Sequence, residues 1–558
     1  MGNPDSPAQD PEQEGLSAYA GRWIACLGGQ IIGQGGTPEQ ARQAGKASRF
    51  KEEPAIIYVS TPQPFSFNPV VARIGDILAG DSKVYLVGGA IRDAILSQTS
   101  RDLDFAVAGN AIGLARRVAN QLGAAFYPLD QERDYGRVIL QEDSHNRLVI
   151  DFSSLLGGDL EADLRARDFT INAMAVDLHH PQALLDPLSG LSDLHNKLLR
   201  ACSSHAINED PIRILRAVRM AARFELRIVP GTRQQLKEAV PGLTRVSMER
   251  LRDELFNILS GPRPAACLRV LDRLGAIPYI LPELETLKDI RQSSPHIYDV
   301  WEHTLEVLEK LQMVYEVLSP TFDPETASSL QLGLIAMRIG RYRKNLNEHF
   351  SSTLPPGRTL NSLLSLGALY HDIAKPKTLL LDGKGRARFF EHEQIGATIV
   401  RQRAHSLQLS NAEADRIETV VRHHMRPLLL AQTGKPPTRR AIYRFFRDTG
   451  PAGVDVCILS LADILGTYGP TLPEETWAEL LEVVRILLQA WWEHPEESVS
   501  PPPLVNGHEL IEEFGIEPGR IIGEILEAIR EAQAIGRIHN RQEALALAKD
   551  RLNTLTDG

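Results

Sequence analysis

The sequence is short of cysteine, of long apolar runs and of excess positive charge, and each shortage removes a class of explanation. Four cysteines in 558 residues (Cys26, Cys202, Cys267, Cys457) lie far apart with no Cys-x-x-Cys pair, which argues against a zinc site or a disulfide framework. They read as buried small hydrophobes. No segment reads as long and apolar enough to cross a bilayer, and the opening MGNPDSPAQDPEQEG has neither the basic region nor the apolar stretch of a secretory signal. A cytoplasmic protein with no membrane partner is expected. The net charge of −10 argues against non-specific coating of nucleic acid, so any nucleic-acid surface has to be a local basic stripe. There is no internal repeat and no heptad run. What is there is an ordinary globular composition over a length too great for one core, so roughly three to five domains are expected.

The most informative stretch is Tyr85 to Val107, YLVGGAIRDAILSQTSRDLDFAV. A short apolar run ends in Gly88-Gly89, a helical pattern follows, and a second strand carries Asp102, Leu103 and Asp104. Side chains alternate across a strand, so the two aspartates share one face while Leu103 points into a core. Two like charges near 4 Å at an effective dielectric of about 20 repel by roughly 4 kcal/mol, a penalty that a divalent cation relieves. Glycines where a strand enters a helix let backbone N–H groups approach an anion. Phosphate and metal sites are therefore expected in one supersecondary unit. Either piece alone could equally be a Gly-Gly turn beside a solvated acidic strand end.

The run GGAIRD followed by DLD resembles the first signature of the class II nucleotidyltransferases, which include CCA-adding tRNA nucleotidyltransferases and bacterial poly(A) polymerases. The segment DLRARDFTINAMA is similar to the family's second motif, usually written RRDFTINAMA, with Ala166 in place of the first arginine and Arg165 close by. The resemblance implies that Gly88, Gly89 and Arg92 hold the triphosphate, with Asp93 orienting Arg92, and that Arg167, Asp168 and Asn172 contact sugar and phosphates. Asp151, on the strand Leu148 to Phe152, is a candidate third catalytic carboxylate beside Asp102 and Asp104, or else an exposed strand acid. In Asp210-Pro211-Ile212-Arg213, followed by Arg216 and Arg219, arginines recur at i+3 steps and make a basic stripe. The resemblance assigns Asp210 and Arg213 to reading the incoming base. Cytosine and adenine both present an amino donor next to a ring-nitrogen acceptor, which a carboxylate and a guanidinium can match together. Uracil and guanine present the reverse pattern. The bland alternative is an N-cap aspartate before a solvated arginine face. Under the resemblance, Arg216 and Arg219 face triphosphate or tRNA backbone.

Further on, His303, the pair His371-Asp372 and Asp463 occur in the order expected of an HD-type metal site, and His392, His423 and His424 could serve a second metal. Imidazole and carboxylate together suit a borderline divalent metal that activates water. A transition metal or magnesium is expected there, and Mg2+ at Asp102 and Asp104.

The fold class expected is α+β: a mixed-sheet head of polymerase beta-like type, an all-helical neck and body, a helical HD domain and a small α+β N-terminal module. The boundaries read as a disordered tail over 1–15, the accessory module over 16–62, the head over 70–195, the neck and body over 196–290, the HD domain over 291–490, a linker over 491–503 and a helical tail over 504–558. The resemblance implies addition of C, C and A to the 3′ end of tRNA from CTP and ATP by two-metal nucleotidyl transfer, with tRNA held at its 3′ end and acceptor or elbow. A CC-adding, A-adding or poly(A) enzyme is the alternative within the family, and an HD phosphohydrolase with an inactive head is the alternative outside it.

Overall fold

The computed structural model describes residues 16–47, 52–61, 65–81, 83–142, 147–323 and 329–556. The tail expected over 1–15, and parts of the Pro62–Pro69 link and of the basic insertion after Ser319, lie outside them. Two compact units, 1–245 and 246–558, divide the chain inside the stretch read as the helical neck.

The first unit begins with the small module. Strands β1 (Arg22–Leu27) and β2 (Gln30–Gly35) form a hairpin that turns at Gly28 and Gly29, both at positive φ, the left-handed region that glycine enters without strain. Helix α1 (Pro38–Lys46) starts at Thr37, whose hydroxyl accepts from the Gln40 N–H at 3.2 Å, and β3 (Ala55–Val59) closes the sheet in the order β2-β1-β3.

The head is a seven-stranded mixed sheet. Helix α2 (Val70–Ile77) precedes β4 (Val84–Val87), α3 (Gly89–Ile95), β5 (Asp102–Val107), α4 (Ala111–Leu122), β6 (Ala125–Asp130), β7 (Tyr135–Gln141) and β8 (Arg147–Ser154). After α5 (Leu160–Ala166), the hairpin β9 (Ala175–Asp177) and β10 (His180–Leu185) completes the order β10-β9-β4-β5-β8-β7-β6. Only β5 and β8 run parallel among these pairs, with Asp104 opposite Asp151. Leu103 and Phe105 point into a core with Ile74, Val118, Ile150 and Phe152, where Phe105 and Phe152 stack at 5.0 Å. The opposite face has a thinner apolar layer (Val87, Ala106, Leu155, Leu164), so the Asp102 and Asp104 end stays open to a cavity. Helix α6 (Gly190–His195) and the arginine helix α7 (Arg213–Phe224) follow.

The second unit is helical, apart from two small hairpins. Its HD part is built from α8 (Val300–Val317), α9 (Leu360–Tyr370), α10 (His392–Ser406), α11 (Asn411–His423) and α12 (Ala452–Tyr468). The sequence leads one to expect no segment long and apolar enough to cross a bilayer. One window, Ala452–Thr471, does meet that length and composition, but 83% of it is buried inside the protein, so it is the central core helix. The stretch read as a linker is packed: Trp491 stacks on Phe446 at 5.1 Å, Trp492 lies 5.2 Å from Tyr342, and Ser498 is buried. The last helices, α13 (Gly507–Phe514), α14 (Arg520–Ala534) and α15 (Arg541–Thr556), share a small apolar core around Leu510, Ile525 and Ile529.

Candidate active site and metal centre

A cavity of about 600 Å3 in the head is lined by the start of α3, by Asp102 and Asp104, by Arg167, Asp168 and Asn172, and by Arg213, Arg216 and Arg219 of α7. Gly88 caps α3 at φ 79, and a β-carbon there would lie 2.9 Å from Arg167 Nη1 and 3.4 Å from Asp104 Oδ2. Glycine is thus what lets an arginine and a carboxylate meet at the helix start. Burial pushes the Asp104 carboxyl up; Arg167 pulls it down, and Asp151 and Asp102 add to the rise. A cation between Asp102 and Asp104 would relieve that repulsion, so the donor set fits a hard divalent ion.

Arg92 is buried and held from three sides, and it lines the cavity. Its Nη1 donates to Asn172 Oδ1 at 2.6 Å, its Nε and Nη2 donate to Asp93 Oδ1, and the guanidinium lies 4.4 Å over the Phe224 ring. Asp93 therefore orients Arg92. Asn172 also donates to Asp168 Oδ1 at 3.0 Å, and Asp168 Oδ2 faces Arg216 at 3.4 Å. Arg165 pairs with Glu161 at 2.6 Å and does not line the cavity, so it does not replace the arginine absent at Ala166.

Helix α7 starts at Arg213 behind Ile212, and no side chain caps it, so Asp210 is not its N-cap. Arg213 donates through Nη1 and Nη2 to the carbonyls of Arg167, Ala206 and Ala166, while its buried Nε has no hydrogen-bond partner and stands 3.9 Å from Asp210 Oδ2. Asp210 itself does not line the cavity as it stands.

Asp151 lies opposite Asp104 on the neighbouring strand β8, with its carboxylate already hydrogen-bonded. Arg137, its cross-strand partner, donates to both of its oxygens at 2.8 Å, and the Tyr135 hydroxyl donates to Oδ2 at 2.7 Å. These bonds occupy three of its roughly four acceptor sites, and among the described residues it forms no three-ligand cluster with Asp102 and Asp104.

The second unit holds two ligand triplets, His303, His371, Asp463 and Asp372, His392, His424, each with its donor atoms within 4.8 Å. They meet at Asp372. Its Oδ2 lies 3.4 Å from His303 Nε2 and 3.2 Å from His371 Nε2, and its Oδ1 lies 3.3 Å from His392 Nε2 and 4.0 Å from His424 Nε2. Backbone carbonyls of Ala368, Phe389 and Val421 sit 2.6, 2.8 and 2.7 Å from Nδ1 of His371, His392 and His424. That contact keeps the proton on Nδ1 and turns the Nε2 lone pair inward. Burial pushes His424 down to about 3, so it is neutral. Facing imidazole nitrogens at 3.3 Å (His303 and His371) and 3.4 Å (His392 and His424) fit metal ions between them. His423, also a candidate, is not in either triplet.

Four family models match in this order: poly A polymerase head domain over 84–200, RNA and SrmB binding site of polymerase A over 225–288, HD domain over 300–467, and tRNA nucleotidyltransferase domain 2 over 498–548. The chain is 33% identical over 471 residues to the A-adding tRNA nucleotidyltransferase of Deinococcus radiodurans, covering 83% of this chain and 94% of that one. The chain belongs to the tRNA nucleotidyltransferase family. A second member, the CC-adding enzyme of Geobacter sulfurreducens, is 31% identical over 89% of this chain and 98% of its own. Two solved structures share the fold. A CCA-adding enzyme with ATP has a TM-score of 0.54 at 21% identity, covering 87% of this chain and 95% of that one. The Thermotoga maritima CCA-adding enzyme with tRNA has 0.51 at 21%, covering 88% and 96%.

Family motifs do not point to every residue of these sites. Phe224, under Arg92, and Arg223 extend the α7 stripe by one more turn, a spacing visible in the sequence. Lys375, whose Nζ lies 2.6 Å from Asp372 Oδ2, sits one turn past the His-Asp pair. The Tyr135–Arg137–Asp151 cluster depends on cross-strand register and left no local signal.

Proposed function

We propose that this tRNA nucleotidyltransferase adds C, C and A to the 3′ end of tRNA from CTP and ATP without a template. The observation that carries the reading is one cavity that joins the Gly88–Gly89 helix start, the Asp102 and Asp104 carboxylates and the arginine face of α7. In the transfer, the tRNA 3′-oxygen forms a bond to the α-phosphorus, the bond to the β-phosphate bridging oxygen breaks, and pyrophosphate leaves. Magnesium held by Asp102 and Asp104 would supply activation of the hydroxyl and charge for the leaving group. Arg92, fixed by Asp93, Asn172 and Phe224, would bind the triphosphate, and Asp168 the sugar. Asp210 and Arg213 would read the base, and Arg216 and Arg219 would meet phosphates of nucleotide or tRNA. Asp151, neutralised by Arg137, supports the strand next to Asp104.

A second reading, addition of only C, C or only A, is favoured by the names of the relatives aligned over more than 90% of their length, which are A-adding or CC-adding enzymes. The test extends tRNA transcripts ending before CCA, after C and after CC with CTP, ATP or both. Ordered C, C, A addition that stops supports the full reaction, C alone or A alone supports the half reaction, and long adenosine tails indicate a poly(A) polymerase. Asp104→Ala should lower kcat/KM at least about 10³-fold, roughly 4 kcal/mol of transition-state stabilisation.

We further propose that the second centre hydrolyses phosphate esters. The two triplets sharing Asp372 would hold divalent transition-metal or magnesium ions, whose chemistry there is the activation of water. Lys375, Arg386 and Arg388 line the adjoining cavity of about 720 Å3 and would bind the phosphate. Phosphatase activity lost in Asp372→Ala but kept in Asp104→Ala supports it. If that were the only activity found, the head would be an RNA-binding remnant.

A further inference from the structure

The N-terminal module lies outside every family match, yet it is docked through backbone atoms onto the segment Leu184–Pro187. The Trp23 indole N–H donates to the Leu184 carbonyl at 2.8 Å, the Asp186 N–H donates to the Gly36 carbonyl at 2.6 Å, and Gln40 Nε2 donates to the Pro187 carbonyl at 3.2 Å. Gly36 presses so closely on this segment that a β-carbon would fall 1.4 Å from the Asp186 carbonyl oxygen. Tyr58 packs against the core of the head. Such backbone-to-backbone fit is that of a built interface rather than of a tethered appendage.

The segment it grips leads directly to the nucleotide cavity. The Asp186 carboxylate accepts from the backbone N–H groups of Gly190 (2.6 Å) and Leu191 (3.0 Å), which open α6. Gly190 in turn abuts the Thr170 carbonyl, with room for no β-carbon (2.1 Å), and the Thr170 hydroxyl donates to Asp193 of α6 at 2.7 Å. Two residues on, Asn172 holds both Arg92 and Asp168. Close packing of this kind transmits a displacement instead of absorbing it.

We propose that the N-terminal module, residues 16–61, is a brace for the nucleotide site. By clamping Leu184–Pro187 it sets the Thr170–Asn172 turn and, through Asn172, the position of Arg92 and Asp168. Gly36, Trp23 and Gln40 are positioning residues for nucleotide binding. The inference rests on the reading of the head cavity as the CTP and ATP site.

The test uses the full chain. Gly36→Ala puts a methyl group against the Asp186 carbonyl at a position whose backbone alanine can adopt; Trp23→Phe removes one interface hydrogen bond, and Gln40→Ala removes two, to Pro187 and Glu161, together with the bond that Gln40 accepts from the Gly36 N–H. Gln43→Ala, on the exposed face of α1, is the control. Initial rates of incorporation are measured against CTP and ATP. The expected result is a KM raised about fivefold for both nucleotides in Gly36→Ala and about twofold in Gln40→Ala and Trp23→Phe, with kcat within twofold and the control unchanged. Wild-type KM in the interface variants overturns the brace, as does a fall in kcat at constant KM, the mark of lost folded protein. If Gly36→Ala does not fold, the other two decide. A wild-type chain that incorporates nothing overturns the reading of the cavity and the brace with it, whereas an active wild type with unmoved KM values overturns the brace alone.

Discussion

At the scale of single residues, the head combines groups whose placement has a measurable cost. The Asp186 carboxyl is pushed up to about 6 by burial, against the pull of the Leu191 and Gly190 N–H groups and of Arg22. Because the folded chain holds this proton more tightly than the unfolded one, its contribution to stability is full below about pH 4 and is lost as pH rises to about 6. At about 1.4 kcal/mol per pH unit the window is worth roughly 3 kcal/mol. Comparing denaturant unfolding of wild type and Asp186→Asn across pH 4 to 7 should show the wild-type advantage shrinking by that order. Gly88→Ala should be damaging on two counts, since alanine is strained at φ 79 and its methyl would displace Arg167. A melting-curve loss of about 1 to 2 kcal/mol, together with a raised KM for nucleotide, is the outcome expected.

At the scale of elements, α12 is the clearest case of a helix fixed for the sake of its neighbours. Asp455, two turns before Asp463, is buried and pairs with Arg416 (2.9 Å) and His349 (2.7 Å). Asp455→Asn would leave Arg416 with an uncompensated charge, so the folded second unit should be destabilised by about 3 kcal/mol or more, measured by calorimetry. Elements also show what could be read from sequence and what could not. The strand–Gly-Gly–helix–strand unit around Asp102 and Asp104 was legible because its signals are local: alternation, glycine at a turn, a helical period. The engagement of Asp151 was not, because Arg137 reaches it only through the register of β7 against β8. Likewise the order His303, His371-Asp372, Asp463 could be read, but the sorting of His392 and His424 into a triplet without His423 follows from how helix ends face one another. The contact of Gly36 with Asp186 joins residues about 150 positions apart and has no sequence signature.

At the scale of the whole molecule, each of the two compact units holds one candidate centre, the head cavity in 1–245 and the two ligand triplets in 246–558. A divalent ion that binds only the folded second unit should raise its unfolding free energy by about 2.7 kcal/mol at one hundred times its dissociation constant. Calorimetry with Mn2+ should show that shift for the second unit in wild type and not in Asp372→Ala, while any response of the first unit is the same in both.

Asp372 gives one oxygen to each triplet. An ion held by His303, His371 and Asp463 and a second held by Asp372, His392 and His424 would both face Asp372 and so would not bind independently, since the first would withdraw charge from a ligand of the second. The occupancy curve should therefore be biphasic, with a tight and a weak step, and when metal is scarce the prevailing form of the protein would be half-loaded.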